Sequence, residues 1–381
     1  MSRVVQAAVV QMDVVPAPTT ERLSRAERLV EQAAQEGAQL VVLPEVFNTG
    51  YAYTDDNYPR AEPMDGPTVT WMKRVAAQWD VHLCGSLMLL DQDEIYNAML
   101  LFAPDGRMWR YDKNYPWAWE RCYFREGDRI TVAHTDLGDL GMLICWDVAH
   151  PSLWRRYAGR VDMMLISSSP PNFGHATLCF ADGDRVAMAD LAKYAAGWAQ
   201  NTVRQAFLGM IRRQSAWLGI PVVGAMHCGR FQSTVPDAWL PLSALSVLSP
   251  RLIKHLSQAD RAHITCQMVE GTMIGDGQGQ CLQAMTNEHG EGVALAEVAL
   301  AEKRLAPKGR QPAAPDLLPA YLLFDDLLPW LCVPRYCSGT RRAWGKEMAP
   351  VRASTRWWAV LLGLAAVLGF VWGLLWKKRR R

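Results

Sequence analysis

The stretch GMLICWDVAHP, residues 141–151, decides how the rest of the chain is read. Met142, Leu143 and Ile144 make an unbroken apolar run, as a strand covered on both faces does. Cys145, Trp146 and Asp147 follow, and Pro151 closes the stretch. Cys145 therefore sits at a strand tip. Free cysteine is among the most buried residue types, so one reading is a small hydrophobe that ends a core strand. The other is a nucleophile held at the rim of a sheet. The eleven residues alone do not choose between them.

Working outward, the chain has 381 residues, half of them hydrophobic and a fifth charged. That suits one large domain or two smaller ones with ample core. A net charge of +2 gives no global field for nucleic acid, and no nucleic-acid partner is expected. The nine cysteines are scattered, odd in number and without CxxC spacing. This argues against a disulfide framework and a zinc site, and for a reducing compartment. The opening MSRVVQAAVVQMDVVP meets Asp13 and Pro16 too soon for a secretory leader and reads as a first strand.

The body alternates apolar runs with helical patterns. Strands are expected at 4–11, 39–43, 81–90, 95–102, 130–135, 140–145, 161–166 and 220–225. Helices are expected at 19–36, 67–79, 151–158 and 185–218. APDG at 103–106 marks a turn, and 280–286 with 292–299 suggests a late hairpin. Strands mixed with covering helices predict an α/β layered domain. Residues 228–271, with Pro236, Pro241 and Pro250, read as an insertion between two strands.

Two further strand ends carry chemistry. In VVLPEVFNTGY, residues 41–51, Glu45 follows the apolar strand directly. A carboxylate there is partly desolvated, which raises its pKa toward the range of a general base. In WRYDKNYPWAWERCYFREGD, residues 109–128, Lys113 precedes a dense aromatic run that contains Glu120. If these ends meet at Cys145, Lys113 is expected to depress the thiol pKa. Glu45 would take the thiol proton, and Lys113 with the backbone N–H of Trp146 would hold the developing oxyanion. Tyr51, Trp117 and Trp119 are candidate substrate contacts.

At this point the chain resembles the nitrilase, or carbon–nitrogen hydrolase, superfamily. The resemblance rests on LVVLPEVFNTGY, YDKNYPWAWERCYFREGD and DLGDLGMLICWDVAHP followed by VDMMLISSSPP, in that order, and on the late MIGDGQGQCLQAMTNEHGEGVALAEVAL. It covers about residues 3–226 and resumes at 272–302. It implies a four-layer α-β-β-α sandwich, dimeric or larger through helix packing. It also implies a Glu45, Lys113, Cys145 triad with Glu120 as an additional positioning glutamate. Covalent catalysis without metal or organic cofactor is implied. The chain departs from the family at Ala149, where many members carry arginine, and at Trp217, where a glutamate is common. Asp147 stands where nitrile-cleaving members tend to have glutamate, so the reading leans to an amide with a C–N bond other than a peptide bond. A nitrilase, an N-acyltransferase acting on a lipid-like substrate and an inactive membrane scaffold are the alternatives.

The C-terminus adds a membrane expectation. Residues 357–376, WWAVLLGLAAVLGFVWGLLW, hold no charge and are long enough to cross a bilayer as a helix of about 30 Å. Tryptophans sit at both ends, and the basic tail 377–381 follows. The expected organisation is a catalytic domain over 1–305, a Pro-rich amphipathic connector over 306–356 and a single-pass anchor over 357–376. Membrane lipids are the expected partners of that anchor. The catalytic body is expected on the cytoplasmic side of a bacterial inner membrane. The connector, with LLPAYLLFDDLLPWLCVP, either lies on a membrane surface or packs on the body.

Overall fold

The first strand shows how the sheet is covered. Val5, Ala7 and Val9 belong to one core cluster, and Ala8, Val10 and Met12 to another. Successive side chains of a strand point to opposite faces, so a strand apolar at every position is covered on both. The computed structural model describes residues 3–191, 205–304, 306–314 and 317–345.

The strands run in chain order as β1 (Arg3–Asp13), β2 (Leu40–Val42), β3 (His82–Asp91), β4 (Glu94–Phe102), β5 (Met108–Asp112), β6 (Val132–Thr135), β7 (Gly138–Ile144) and β8 (Met163–Ser168). They continue as β9 (Thr177–Cys179), β10 (Arg185–Ala187), β11 (Val222–Cys228), β12 (Arg230–Thr234), β13 (His263–Gln267), β14 (Thr272–Gly275), β15 (Cys281–Met285) and β16 (Gly292–Leu300). The main sheet is mixed, in the order β5-β4-β3-β2-β1-β11-β8-β7-β6, with β14 beside β11, β15 beside β14 and β16 beside β1. β1 is the joint of this sheet. It pairs with β16 over most of its length and with β2 at Ala7–Val9, and passes to β11 only at Met12 and Asp13. The sheet therefore folds into two halves that face each other and nearly closes.

Helices α1 (Thr19–Gln35) and α2 (Pro67–Gln78) bury Leu23, Ala26, Val30, Met72 and Val75 against the outer face of the β1–β4 half. On the other half, α3 (Pro151–Tyr157) lays Trp154 and Tyr157 onto the core, and helix Ile211–Leu218 adds Ile211 and Leu218. A nitrilase-type α/β arrangement results, with helices outside a doubled sheet.

Two expectations need correction. The segment 280–286 and 292–299 is not a hairpin, because β15 pairs with β14 while β16 pairs with β1. Their turn crosses from one half of the sheet to the other. Residues 185–187 are a strand, paired with β9, rather than the start of a long helix. Between them and residue 205 only Met188–Leu191 is described, and it is helical. The sequence 228–271 supplies β12 and β13, which join β9 and β10 in a small sheet of order β10-β9-β13-β12, with helices Trp239–Leu248 and Pro250–Arg261 between β12 and β13. The expected anchor at 357–376 lies outside the described residues. Among the described residues, no helix is long and apolar enough to cross a membrane.

Candidate active site

Three chain segments leave the sheet at one place, and each does so through a residue in the left-handed region. Cys145 itself has φ +48°, Val46 after Glu45 has +49°, and Ala118 before Glu120 has +46°. Side chains other than glycine rarely adopt this conformation, and each instance costs on the order of 1–3 kcal/mol. Packing and hydrogen bonds must hold all three.

For Cys145, Asp147 is the brace. Its Oδ2 accepts from the backbone N–H of Ile144 at 3.2 Å and from the Tyr111 hydroxyl at 2.7 Å. Its Oδ1 accepts from the backbone N–H of Tyr115 at 2.8 Å. The chain thus turns at once from β7 into the 3-10 turn Cys145–Ala149. For Glu45, the serines of SSSPP do the tying. Ser167 Oγ donates to the Leu43 carbonyl at 2.8 Å, and Ser169 Oγ donates to the Glu45 carbonyl at 3.2 Å. The Val46 N–H donates to Ser86 Oγ at 3.0 Å.

Behind Ser169 runs a buried chain that the sequence reading missed. Arg22 Nη2 lies 2.9 Å from His227 Nε2, and His227 Nδ1 lies 2.5 Å from Ser169 Oγ. Burial, reinforced by the Arg22 charge, pushes the His227 pKa well down, so the ring is neutral. Arg22 can only donate, so Nε2 accepts and Nδ1 carries the proton toward Ser169.

Lys113 is wholly buried between two wholly buried carboxylates. Its Nζ donates to Glu45 Oε1 at 2.7 Å and to Glu120 Oε2 at 2.6 Å. Asn97 joins the same site, its Nδ2 donating to Glu45 Oε1 at 2.7 Å while its backbone carbonyl accepts from the Lys113 N–H at 3.0 Å. Glu120 Oε2 also accepts from the Trp117 N–H at 2.6 Å, and Glu120 Oε1 accepts from the Tyr51 hydroxyl. Among the described residues Glu45 Oε2 has no donor at ordinary hydrogen-bond length. The Cys145 thiol is near enough to act on the Glu45 carboxyl as a hydrogen-bonding partner.

The electrostatics follow from burial. Desolvation pushes the Glu45 pKa up to about 7, against the pull of Lys113 and with the push of Glu120. Burial works against the Lys113 charge, but attraction to Cys145, Glu120 and Glu45 outweighs it and the net shift is upward. The expectation of a depressed thiol pKa is overturned. Burial first, and the Glu45 carboxylate second, raise the Cys145 pKa well above the ordinary thiol value, and Lys113 offsets only part of this. The resting nucleophile is a thiol.

The remaining candidates take definite places. Trp146 is buried, and its backbone N–H belongs to the start of the 3-10 turn, where leading N–H groups have no acceptor within the turn. Trp117 stacks on Phe173 at 5.2 Å and lies 4.8 Å from Phe324. Trp119 packs on Tyr53 at 5.9 Å. Tyr51 holds Glu120 through its hydroxyl, a positioning contact. Ala149, at the family's arginine position, uses its carbonyl to accept from the Tyr321 hydroxyl at 2.5 Å. Trp217 donates from Nε1 to the Gly309 carbonyl at 3.3 Å. Among the described residues, Asp182, Asp184 and His255 are spaced to hold a metal ion. They lie in the small sheet and its helix, where Lys254 at 2.7 Å and His255 at 3.2 Å already face the Asp184 carboxylate.

Comparison with known proteins places this arrangement. The chain is 33% identical over 159 residues to a nitrilase of Pyrococcus abyssi, covering 40% of this chain and 60% of that one. It is 31% identical over 162 residues to the omega-amidase NIT2-A of Xenopus laevis, covering 39% and 57%. The matched part therefore spans less than two thirds of either relative. The fold resembles an amidase from Nesterenkonia sp. with a TM-score of 0.56 and 18% identity, over 80% of this chain and 92% of that one. It also resembles XC1258 from Xanthomonas campestris, a CN-hydrolase superfamily protein with an arsenic adduct in its active site, with a TM-score of 0.55 and 18% identity over 78% and 91%. Residues 6–308 match the carbon–nitrogen hydrolase family, most of the chain, and the protein belongs to that family.

Proposed function

We propose that the protein is an amidase-type hydrolase of carbon–nitrogen bonds other than peptide bonds, working through a thioester on Cys145 and tethered to a membrane by residues 357–376. The observation that carries the reading is the fully buried Glu45–Lys113–Glu120 ion cluster set beside a strand-tip cysteine. Buried charges held this way cost stability, and the fold keeps them where a thiol waits.

The mechanism follows from the proton positions. Glu45 takes the proton from the Cys145 thiol as Sγ attacks the amide carbon. The C–S bond forms, and the carbonyl π electrons move to oxygen. Lys113 and the Trp146 N–H stabilise that oxyanion. As the carbonyl re-forms, the C–N bond breaks and Glu45 hands its proton to the leaving amine, which departs neutral. Water then attacks the thioester with Glu45 again as base. The C–S bond breaks, the acid leaves and the proton returns to sulfur. A carboxyl poised near neutrality is suited to both directions of transfer. One variant of the Nesterenkonia amidase carries the acetamide moiety of fluoroacetamide on its active-site cysteine, which supports covalent chemistry on a cysteine in a protein of similar fold. Dimerisation through the outer helices is part of the same reading.

Ammonia release from a panel of short carboxamides tests it. The full chain should turn over at least one, and Cys145→Ala should abolish that turnover with the fold intact. Undiminished release by Cys145→Ala would refute the assignment. Deleting 346–381 should cut the fraction that pellets with lipid several-fold, and pelleting undiminished by the deletion would refute the anchor.

A further inference from the structure

The family match ends at residue 308, yet residues beyond it help to wall the site. From Leu318 to Trp344 the chain is helical, through a π-helical turn at Leu322–Leu327. Its inner face clasps the turn that follows Cys145. Asp325 accepts from Trp146 Nε1 at 3.0 Å and lies 2.9 Å from His150 Nε2. Phe324 packs 4.8 Å from Trp117 and 5.9 Å from Trp146. Farther along, Cys332 and Tyr336 are buried, and the Tyr336 hydroxyl donates to Glu94 at 2.5 Å. The connector thus packs on the body.

Its outer face has the opposite character. Leu318, Leu322, Leu323 and Leu331 are between 37% and 65% exposed. Arg335, one turn beyond Leu331, pairs with Asp237 at 3.1 Å. Asp237 opens the turn into helix Trp239–Leu248, where Trp239 is 61% and Leu240 41% exposed. The Arg335–Asp237 pair links the two groups of apolar residues, and Asp326 is exposed among the leucines. Exposed leucines and tryptophan gathered in this way mark a candidate interaction face.

The rest of the chain indicates what covers it. Only residues 346–356 separate this helix from the charge-free stretch 357–376. Eleven residues reach at most about 40 Å, so a bilayer crossed by that stretch stays within reach of this face. Along the tether Lys346, Arg352 and Arg356 outnumber Glu347, and the net charge of +2 attracts anionic headgroups. We propose that the outer face of 318–331, with Trp239 and Leu240, rests on an anionic lipid bilayer. The Phe324 wall then stands between Cys145 and the lipid, and amides bearing an apolar chain reach the thiol from the membrane side. This rests on the membrane-tethered reading above.

The test uses the full chain in nanodiscs of mixed zwitterionic and anionic lipid. Cys281→Ser and Cys337→Ser remove the two cysteines that are not buried. Nitroxide labels are then placed at Leu322→Cys, at Leu331→Cys and, as an aqueous control, at Ser24→Cys on α1. The 322 and 331 labels should collide more with oxygen than with a polar nickel chelate, and the 24 label the reverse. Labels open to nickel would overturn the docking. Labels shielded from both, as under the chain's own tail or a second copy, would overturn it too. A chain that fails to enter the discs sinks the anchor as well, which separates the two failures. With Trp239→Asp and Leu322→Asp combined, turnover of a long-chain amide carried in the bilayer should fall at least tenfold, and turnover of a short soluble amide should stay within twofold. Equal loss on both, or on neither, would overturn the assigned substrate class.

Discussion

Replacing Lys113 with methionine removes the cation that two carboxylates share. All three side chains are wholly buried, so solvent does not screen the loss. Removing one partner of such a cluster costs about 3–5 kcal/mol, because uncompensated charge stays behind. The cost depends on pH. In the unfolded chain the glutamates titrate near 4.3. In the folded wild type Glu45 is already pushed up to about 7, and it rises further without the ammonium beside it. Between these values the folded variant binds more protons than the unfolded one. Its stability therefore falls as pH rises, by about 1.4 kcal/mol per pH unit for Glu45. Lys113 itself is protonated in both states over this range, so its own titration adds no slope. Urea unfolding of wild type and Lys113→Met at pH 5.5 and pH 8.0 measures the difference. The gap should be about 3–5 kcal/mol at pH 8.0 and smaller by about 1.4 kcal/mol at pH 5.5, because both proteins lose stability together up to the wild-type Glu45 value of about 7 and only the variant goes on losing it above that. A gap under about 1 kcal/mol at pH 8.0, unchanged at pH 5.5, would refute the buried cluster.

Three other outcomes follow from the same geometry. Activity should rise with pH through about 7, because Glu45 must be ionised to accept the thiol proton; Glu45→Gln should erase that limb and lower turnover by about 100- to 10,000-fold, as pH–rate profiles would show. Tyr51→Phe strips Glu120 of a buried donor, and a loss of about 1–3 kcal/mol in thermal or urea unfolding should come with a lower kcat and a nearly unchanged KM for short amides. Asp147→Ala leaves the Ile144 and Tyr115 N–H groups and the Tyr111 hydroxyl without their acceptor, so unfolding should show a loss of about 3 kcal/mol or more.

Strand tips were the legible part of the site. Glu45, Lys113 and Cys145 each follow an apolar run, and a run that stops at a chemically active residue is visible in one dimension. Glu120 was visible through its place in a motif. What joins them was not visible. Asn97 bridges Glu45 and Lys113 from mid-strand, where an asparagine gives no local signal. Arg22, His227 and Ser169 lie 205 and 58 residues apart and meet because β11 pairs with β8 on one side and touches the end of β1, which leads into α1, on the other. The Cys145 pKa was misread because a nearby lysine is a sequence feature, whereas desolvation and the charge of two carboxylates are tertiary ones. The false hairpin at 280–299 has a similar cause. Two adjacent strands with a short turn look alike whether they pair with each other or with strands on opposite halves of the sheet. The connector was legible as amphipathic, but nothing local showed that Asp325 reaches the residue next to the nucleophile.

The most direct measurement is the intact mass of the protein quenched in acid during turnover of an amide. The thiol of Cys145 should carry the acyl fragment, fragmentation should place it on that residue alone among nine cysteines, and Cys145→Ala should show no increment. Turnover with no acylated species, or an adduct that persists in Cys145→Ala, would contradict a site in which Glu45 and Lys113 serve that sulfur.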